Sequence, residues 1–214
     1  MTIHKFIVSL LISLIVSSCG MKSVDGLKNN YDMNSKQIAE LVEYFGKLVP
    51  PNYRVRIRFD SASDLSLFVS ELIGESEYYE SIFGQRHVDL DNYVEAKERE
   101  QKQAIYVNQK NRNSLEIVNE KLKWNRETFT GIYEKLNAAN CTGIASGREL
   151  VYINYGFMGM GELSYMVFDH DLSLGEQEGY SNDCSRMYYK DNIVLTFASG
   201  ATGSFCISQF NRKK

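Results

Sequence analysis

Tyr53-Arg54-Val55-Arg56-Ile57-Arg58-Phe59 alternates large apolar side chains with guanidiniums without interruption. Successive side chains of a strand point to opposite faces, so this run predicts a strand with Tyr53, Val55, Ile57 and Phe59 packed inward and three arginines on the other face. A polar turn at Asp60 to Asp64 follows, and Leu65, Leu67 and Val69 then alternate again, which predicts an antiparallel hairpin partner. Upstream, Ile38, Leu41, Val42, Phe45 and Leu48 recur at three- and four-residue steps within Ser35 to Val49. That is an amphipathic helix, with Asn34 and Gln37 placed as a capping pair and Pro50-Pro51 as the stop.

Downstream, residues 71–112 are acidic and then mixed in charge (Glu71, Glu75, Glu77, Glu80, then Glu95 to Lys102). They read mostly as loop, with a short strand-like run at 104–107. Leu115, Val118 and Leu122 form one apolar stripe, and Phe129, Ile132 and Leu136 a second, so a pair of short helices is expected with Trp124 wedged in the bend. From Cys141 the pattern turns to strands bounded by Gly, Asn and Asp: 141–146, 150–155, 163–168, 186–190, 193–198 and 203–210. Asp191-Asn192 is a tight-hairpin signal between two of them. Helices and strands are segregated, which predicts an α+β domain: an antiparallel sheet with the N-terminal helix and the central helix pair packed on one face.

The chain begins with a short basic segment, Met1 to Lys5, and an apolar run from Phe6 to Val16 broken only by Ser9 and Ser13. Such a run is about half the length a membrane-spanning helix needs, and the layout is that of an export signal over residues 1–18. Val16-Ser17-Ser18-Cys19 resembles the bacterial lipobox, which implies a diacylglyceryl group on the thiol of Cys19 and a mature protein anchored to membrane by lipid. The alternative is an ordinary secretory signal with Cys19 as a bystander. Gly20 in place of Asp, by similarity to proteobacterial lipoproteins, implies transfer to the outer membrane. Residues 19–33 read as a lipidated start followed by a polar tether, a coil of about 20 Å. Residues 34–214 then form a single globular domain.

The full chain carries a formal charge of −3 with 24 basic and 27 acidic residues, a balance that gives no footprint for nucleic acid. Fourteen tyrosines, eleven phenylalanines and only two prolines fit a compact body instead of a disordered one. Cys141, Cys184 and Cys206 allow at most one intramolecular disulfide. Cys184 with Cys206 is slightly favoured, against three buried thiols acting as small hydrophobes. Leu136-Asn137-Ala138-Ala139-Asn140-Cys141, Tyr155-Gly156-Phe157-Met158-Gly159-Met160-Gly161 and Gly200-Ala201-Thr202-Gly203-Ser204-Phe205-Cys206 resemble a group of small bacterial lipoproteins with no assigned activity. The resemblance covers roughly the last 100 residues; it supports the envelope address and implies no mechanism.

Candidate chemistry is sparse. Asp169-His170-Asp171 offers a general base or metal ligand, or an exposed turn; with His87 the only other histidine of the mature chain, a His-rich zinc site is excluded. Cys141 or Cys206 with His170 as a nucleophile pair has no local signature. The glycine-rich Gly156 to Gly161 run lacks the Lys-Ser/Thr of a phosphate loop and precedes a strand, so it reads as a hairpin connection. Exposed Phe157, Met158 and Met160 would make an adaptable apolar tip for a partner protein or lipid. Arg54, Arg56 and Arg58 are the one dense basic feature, suited to an acidic partner, a phosphate or a sugar acid, or simply a solvated face. No cofactor motif is present. The expectation is a non-catalytic, lipid-anchored binding or accessory module of the envelope, with a hydrolase built on His170 and a neighbouring carboxylate or cysteine as the alternative.

Overall fold

The computed structural model describes residues 22–72, 79–90, 116–147, 149–181 and 184–199. Eight strands of the described residues form one sheet: β1 (Tyr53–Phe59), β2 (Asp64–Leu72), β3 (Tyr79–Asp89), β4 (Gly143–Ser146), β5 (Leu150–Met158), β6 (Gly161–Phe168), β7 (Arg186–Lys190) and β8 (Ile193–Ser199). Their order is β3-β2-β1-β4-β5-β6-β8-β7, and every neighbouring pair is antiparallel. Among the described residues four helices accompany them: α1 (Val24–Leu48), α2 (Glu116–Leu122), α3 (Arg126–Ala138) and α4 (Leu174–Ser181). The fold is α+β.

The alternation of β1 sets the register. Val55 faces Val69, Ile57 faces Leu67 and Phe59 faces Leu65, all six buried, while Arg54, Arg56 and Arg58 line the opposite face with Ser70, Phe68 and Ser66. The main core lies between the buried face and α1 to α3, with Phe45, Trp124, Phe129, Ile132, Leu136, Ile153, Leu163 and Tyr165 among its members. Trp124 closes the α2–α3 bend as expected. Its indole Nε1–H donates to the Leu48 carbonyl at 3.0 Å, in the last turn of α1. Asn125 and Thr128 exchange capping bonds at the start of α3. Asp191 takes the left-handed conformation (φ 53°) in the β7–β8 hairpin, which the Asp-Asn pair tolerates.

Three expectations are corrected. Residues 24–33 are not a coil tether: α1 is 25 residues long and starts at Val24, with Ser23 Oγ accepting from Gly26 N–H at 3.0 Å as its N-cap. Val24, Leu27 and Tyr31 are buried, and Tyr31 meets Tyr165 and Tyr189 while Asp32 takes bonds from Tyr189 Oη and Lys190 Nζ at 2.8 and 2.6 Å. Asn34, read as a cap, marks instead a kink inside the helix (φ −122°, ψ 19°). Within 71–112, read mostly as loop, Tyr79–Asp89 is the strand β3, paired along β2 with two register shifts. Finally, α4 had no counterpart in the expected helices. It packs on the other side of the sheet, where Tyr180 joins a small cluster of Met166, Phe168, Leu172 and Val194. The expected strands at 104–107 and 203–210 lie outside the described residues.

Candidate functional site

Because side chains alternate along each strand, the antiparallel registers carry one row of residues across the whole sheet on the face turned away from α1. Ser66, Arg58, Gly143, Asn154, Ser164, Thr196 and Arg186 are successive partners in that row. It is polar from end to end, with glycine where β4 crosses. The next row is Phe68, Arg56, Ala145, Tyr152, Met166, Val194 and Tyr188, apolar and aromatic apart from Arg56. A bulge between Asn154 and Gly156 shifts the phase of β5, so Phe157 returns to this face opposite Glu162. At its α4 end the second row is covered by the small apolar cluster, and over the β1–β5 portion no described helix lies on it.

The uncovered portion forms a shallow trough of about 240 Å³ lined by Arg56, Arg58, Ser66, Phe68, Asn154 and Glu162. Its rim is aromatic, with Phe68, Tyr152 and Phe157 all exposed. The Arg58 guanidinium lies 5.3 Å from the Phe157 ring centroid and 3.6 Å from Asp60, while its Nε, like Oε1 of Glu162, is buried without a hydrogen-bond partner. Asn154 Nδ2 donates to Ser164 Oγ at 3.5 Å, and Ser164 is buried. The expected binding residues therefore divide as follows. Arg56, Arg58 and Phe157 meet at one trough, Arg54 lies on the same strand face, and Met160 is exposed past it in the β5–β6 turn, whereas Met158, expected to be exposed, is partly buried against the main core. Glu162, Asn154, Ser66 and Phe68 join them from other strands and were not singled out by sequence.

His170 follows β6 and is 45% exposed, outside the trough. Its Nδ1 lies 2.7 Å from Asp169 and its Nε2 3.5 Å from Glu176, whose other carboxylate oxygen accepts from Ser173 N–H and Oγ–H at 2.8 and 2.6 Å. These carboxylates thus knit the start of α4; Asp171 is simply exposed. Hydrogen bonding to Asp169 first, and to Glu176 second, holds the His170 pKa above its ordinary 6.5. A raised folded-state pKa means that the clamp's contribution is complete below the unfolded pKa and is lost as pH rises through the folded one. An NMR titration is expected to place His170 above 6.5 and to bring it down in Asp169→Asn. Protection of α4 amides should weaken over the same rise in pH, and a wild-type midpoint at or below 6.5 would contradict the clamp.

Cys141 does not approach His170. It is buried on the helix-covered side, its thiol donating to Ala139 O at 3.3 Å beside Asn30, and burial pushes its pKa up to about 12. A protonated, enclosed thiol is a poor nucleophile, so the pairing of Cys141 with His170 is set aside. Cys184 is disulfide-bonded; Cys206 and Cys19 lie outside the described residues. Among the described residues no three of His, Cys, Asp and Glu converge to hold a metal ion, and no helix is long and apolar enough to cross a membrane. No known protein family matches the chain, and no curated protein or solved structure is similar to it.

Proposed function

We propose that the protein is a lipid-anchored, non-catalytic binding module of the bacterial envelope, and that the sheet trough is its ligand site. The observation that carries this reading is the buried, unpartnered Nε of Arg58, a residue that lines the trough together with Arg56, Asn154 and Glu162. A buried donor left unpaired costs about 1–3 kcal/mol, which a bound acceptor recovers. Paired guanidiniums favour a planar oxyanion, and an aromatic rim favours a ring or apolar body attached to it. A carboxylate- or phosphate-bearing group, such as a sugar acid, fits that set. Glu162 offers the acceptor that a hydroxyl on the same ligand needs. The anchor is Cys19, with residues 1–18 as its export signal and the outer membrane as its address. An envelope protein carrying such an acidic group is the partner class.

A hydrolase centred on His170 has less support, since both nearby carboxylates serve the start of α4 and the imidazole lines neither cavity found among the described residues. The test is a titration of the guanidinium Nε–H signals with glucuronate and with inorganic phosphate. Saturable shifts at Arg56 and Arg58 are expected, with affinity falling about 10- to 100-fold in Arg56→Glu, the equivalent of losing one charge-assisted bond. His170→Ala should leave both binding and the cellular phenotype intact. No saturable shift, with the phenotype abolished by His170→Ala alone, would reverse the two readings.

A further inference from the structure

The β5–β6 turn and the beginning of the described chain occupy the same end of the molecule. Lys22 packs directly on Gly156, where a Cβ would come within 2.9 Å of Lys22 Cγ, and its ammonium lies 3.9 Å from the Tyr155 ring centroid. From there α1 runs away from the turn. Gly26 lies beside Tyr155, Leu27 O accepts from Tyr165 Oη–H at 2.7 Å, and Ile38 reaches the groove shared with Val167 and Phe168 at the far end of β6. Lys22, the first described residue, therefore lies at this end, against Gly156, the neighbour of Phe157 along β5.

The turn itself is apolar and outward. Phe157 is 49% and Met160 77% exposed, with Gly159 at φ +61° and open space where its side chain would be. Isolated exposed apolar residues need no explanation; two of them beside the exit point of a lipid anchor do. Three peptide bonds separate Cys19 from Lys22, so covalent geometry alone keeps their Cα atoms within about 11 Å. With α1 capped at Ser23 and docked from Val24, only Gly20 and Met21 separate the Cys19 anchor from the first described residue.

We infer that the Phe157–Met160 turn is a second membrane contact, seated in the headgroup–acyl boundary of the bilayer that holds the Cys19 lipid. This rests on the lipoprotein reading. Acyl chains supply the retention; the turn supplies orientation, since a single attachment point leaves the body free to swivel and a second one fixes its tilt. Phe157 and the flexible thioether of Met160 suit that boundary, where packing is irregular. With the turn seated, Phe157 and Arg58 lie at the lipid surface and the polar row runs across the sheet from there.

The test uses the full lipidated protein in phosphatidylethanolamine–phosphatidylglycerol vesicles. Trp124 is the sole, buried tryptophan and gives a constant background. Met160→Trp is expected to shift its emission to the blue and to be quenched by lipids brominated near the headgroup. Leu174→Trp, exposed on α4, should show neither. Intact mass of the same sample reports the lipid on Cys19. A lipidated, vesicle-bound Met160→Trp that stays unquenched overturns the membrane contact alone, and points to a protein partner for the turn. Absence of the lipid mass overturns the anchor and the contact together.

Discussion

Trp124→Ala is expected to lower the stability of the fold by about 3–5 kcal/mol, the range for truncating a fully buried aromatic. That is a large fraction of the roughly 5–15 kcal/mol that holds a domain folded. The indole is 1% exposed and meets Phe45 of α1 and Phe129 of α3 edge-on, at centroid distances of 6.1 and 5.6 Å. It also satisfies a backbone group that the helix cannot. The Leu48 carbonyl belongs to the last turn of α1, where Pro50-Pro51 prevents continuation and no further amide arrives; Trp124 Nε1 supplies the missing donor. Asn119 Nδ2 holds the Trp124 carbonyl in turn, at 3.0 Å, so one residue joins α1, α2 and α3. Trp124→Phe keeps the ring contacts and orphans only the carbonyl, so it should cost about 1–2 kcal/mol. Urea unfolding followed by far-ultraviolet circular dichroism separates the two variants. A loss below about 1.5 kcal/mol for Trp124→Ala would mean that the helix layer is not keyed on this side chain.

The legible parts of this fold are those where one face is buried and the other is not. β1 alternates because its outer face is polar, β2 follows the same alternation apart from the outward Phe68, and α3 shows its stripe because Phe129, Ile132 and Leu136 face the core while its other sides meet water. β3 hid behind its charge: it ends the order of the described strands, and such strands carry acidic and irregular positions that blur the period. α4 has no buried residue of its own, so no apolar stripe exists to be read. The first turns of α1 failed for a different reason. The buried stripe passes through Asn30, where a hydrophobic residue would have continued the pattern.

The trough was half visible. Its arginines follow from the alternation of one strand, but Asn154 and Glu162 join them only because β4 returns beside β1 and brings β5 and β6 with it. Phe157 was visible as an apolar residue and not as a neighbour of Arg58. Asn154 and Phe157 are three residues apart, a spacing that puts side chains on opposite faces of a regular strand; the bulge restores them to one.

Asn30→Leu is expected to cost about 2–4 kcal/mol, although leucine has nearly the same shape and is the residue the helical pattern calls for. Every hydrogen-bonding position of the amide is engaged. Nδ2 donates to Ala139 O at 3.1 Å and to Tyr165 Oη at 3.0 Å, and Oδ1 accepts from Asn34 and Asn140 at 3.0 and 2.8 Å. Removing it strands the Nδ2 groups of Asn34 in α1 and of Asn140 in the α3–β4 connection, and takes one donor from Ala139 O, an unpaired buried polar group being worth about 1–3 kcal/mol; Tyr165 keeps its bond to Leu27 O, and Ala139 O keeps that from the Cys141 thiol. The gain from an apolar side chain offsets part of that. The loss should also be local, because the kink at Asn34 divides α1 into a first half held by this network and a second half held by Ile38, Leu41 and Phe45. Amide exchange is therefore expected to quicken over residues 24–33 well before it does over 35–48. Uniform loss across both halves, or a cost under about 1 kcal/mol, would contradict the network's role. The buried asparagine is what turns a polar, tether-like segment into a docked helix. If the anchor is Cys19, releasing that segment restores about 20 Å of free coil between lipid and body, and the turn at Phe157 to Met160 loses the proximity that places it against the membrane.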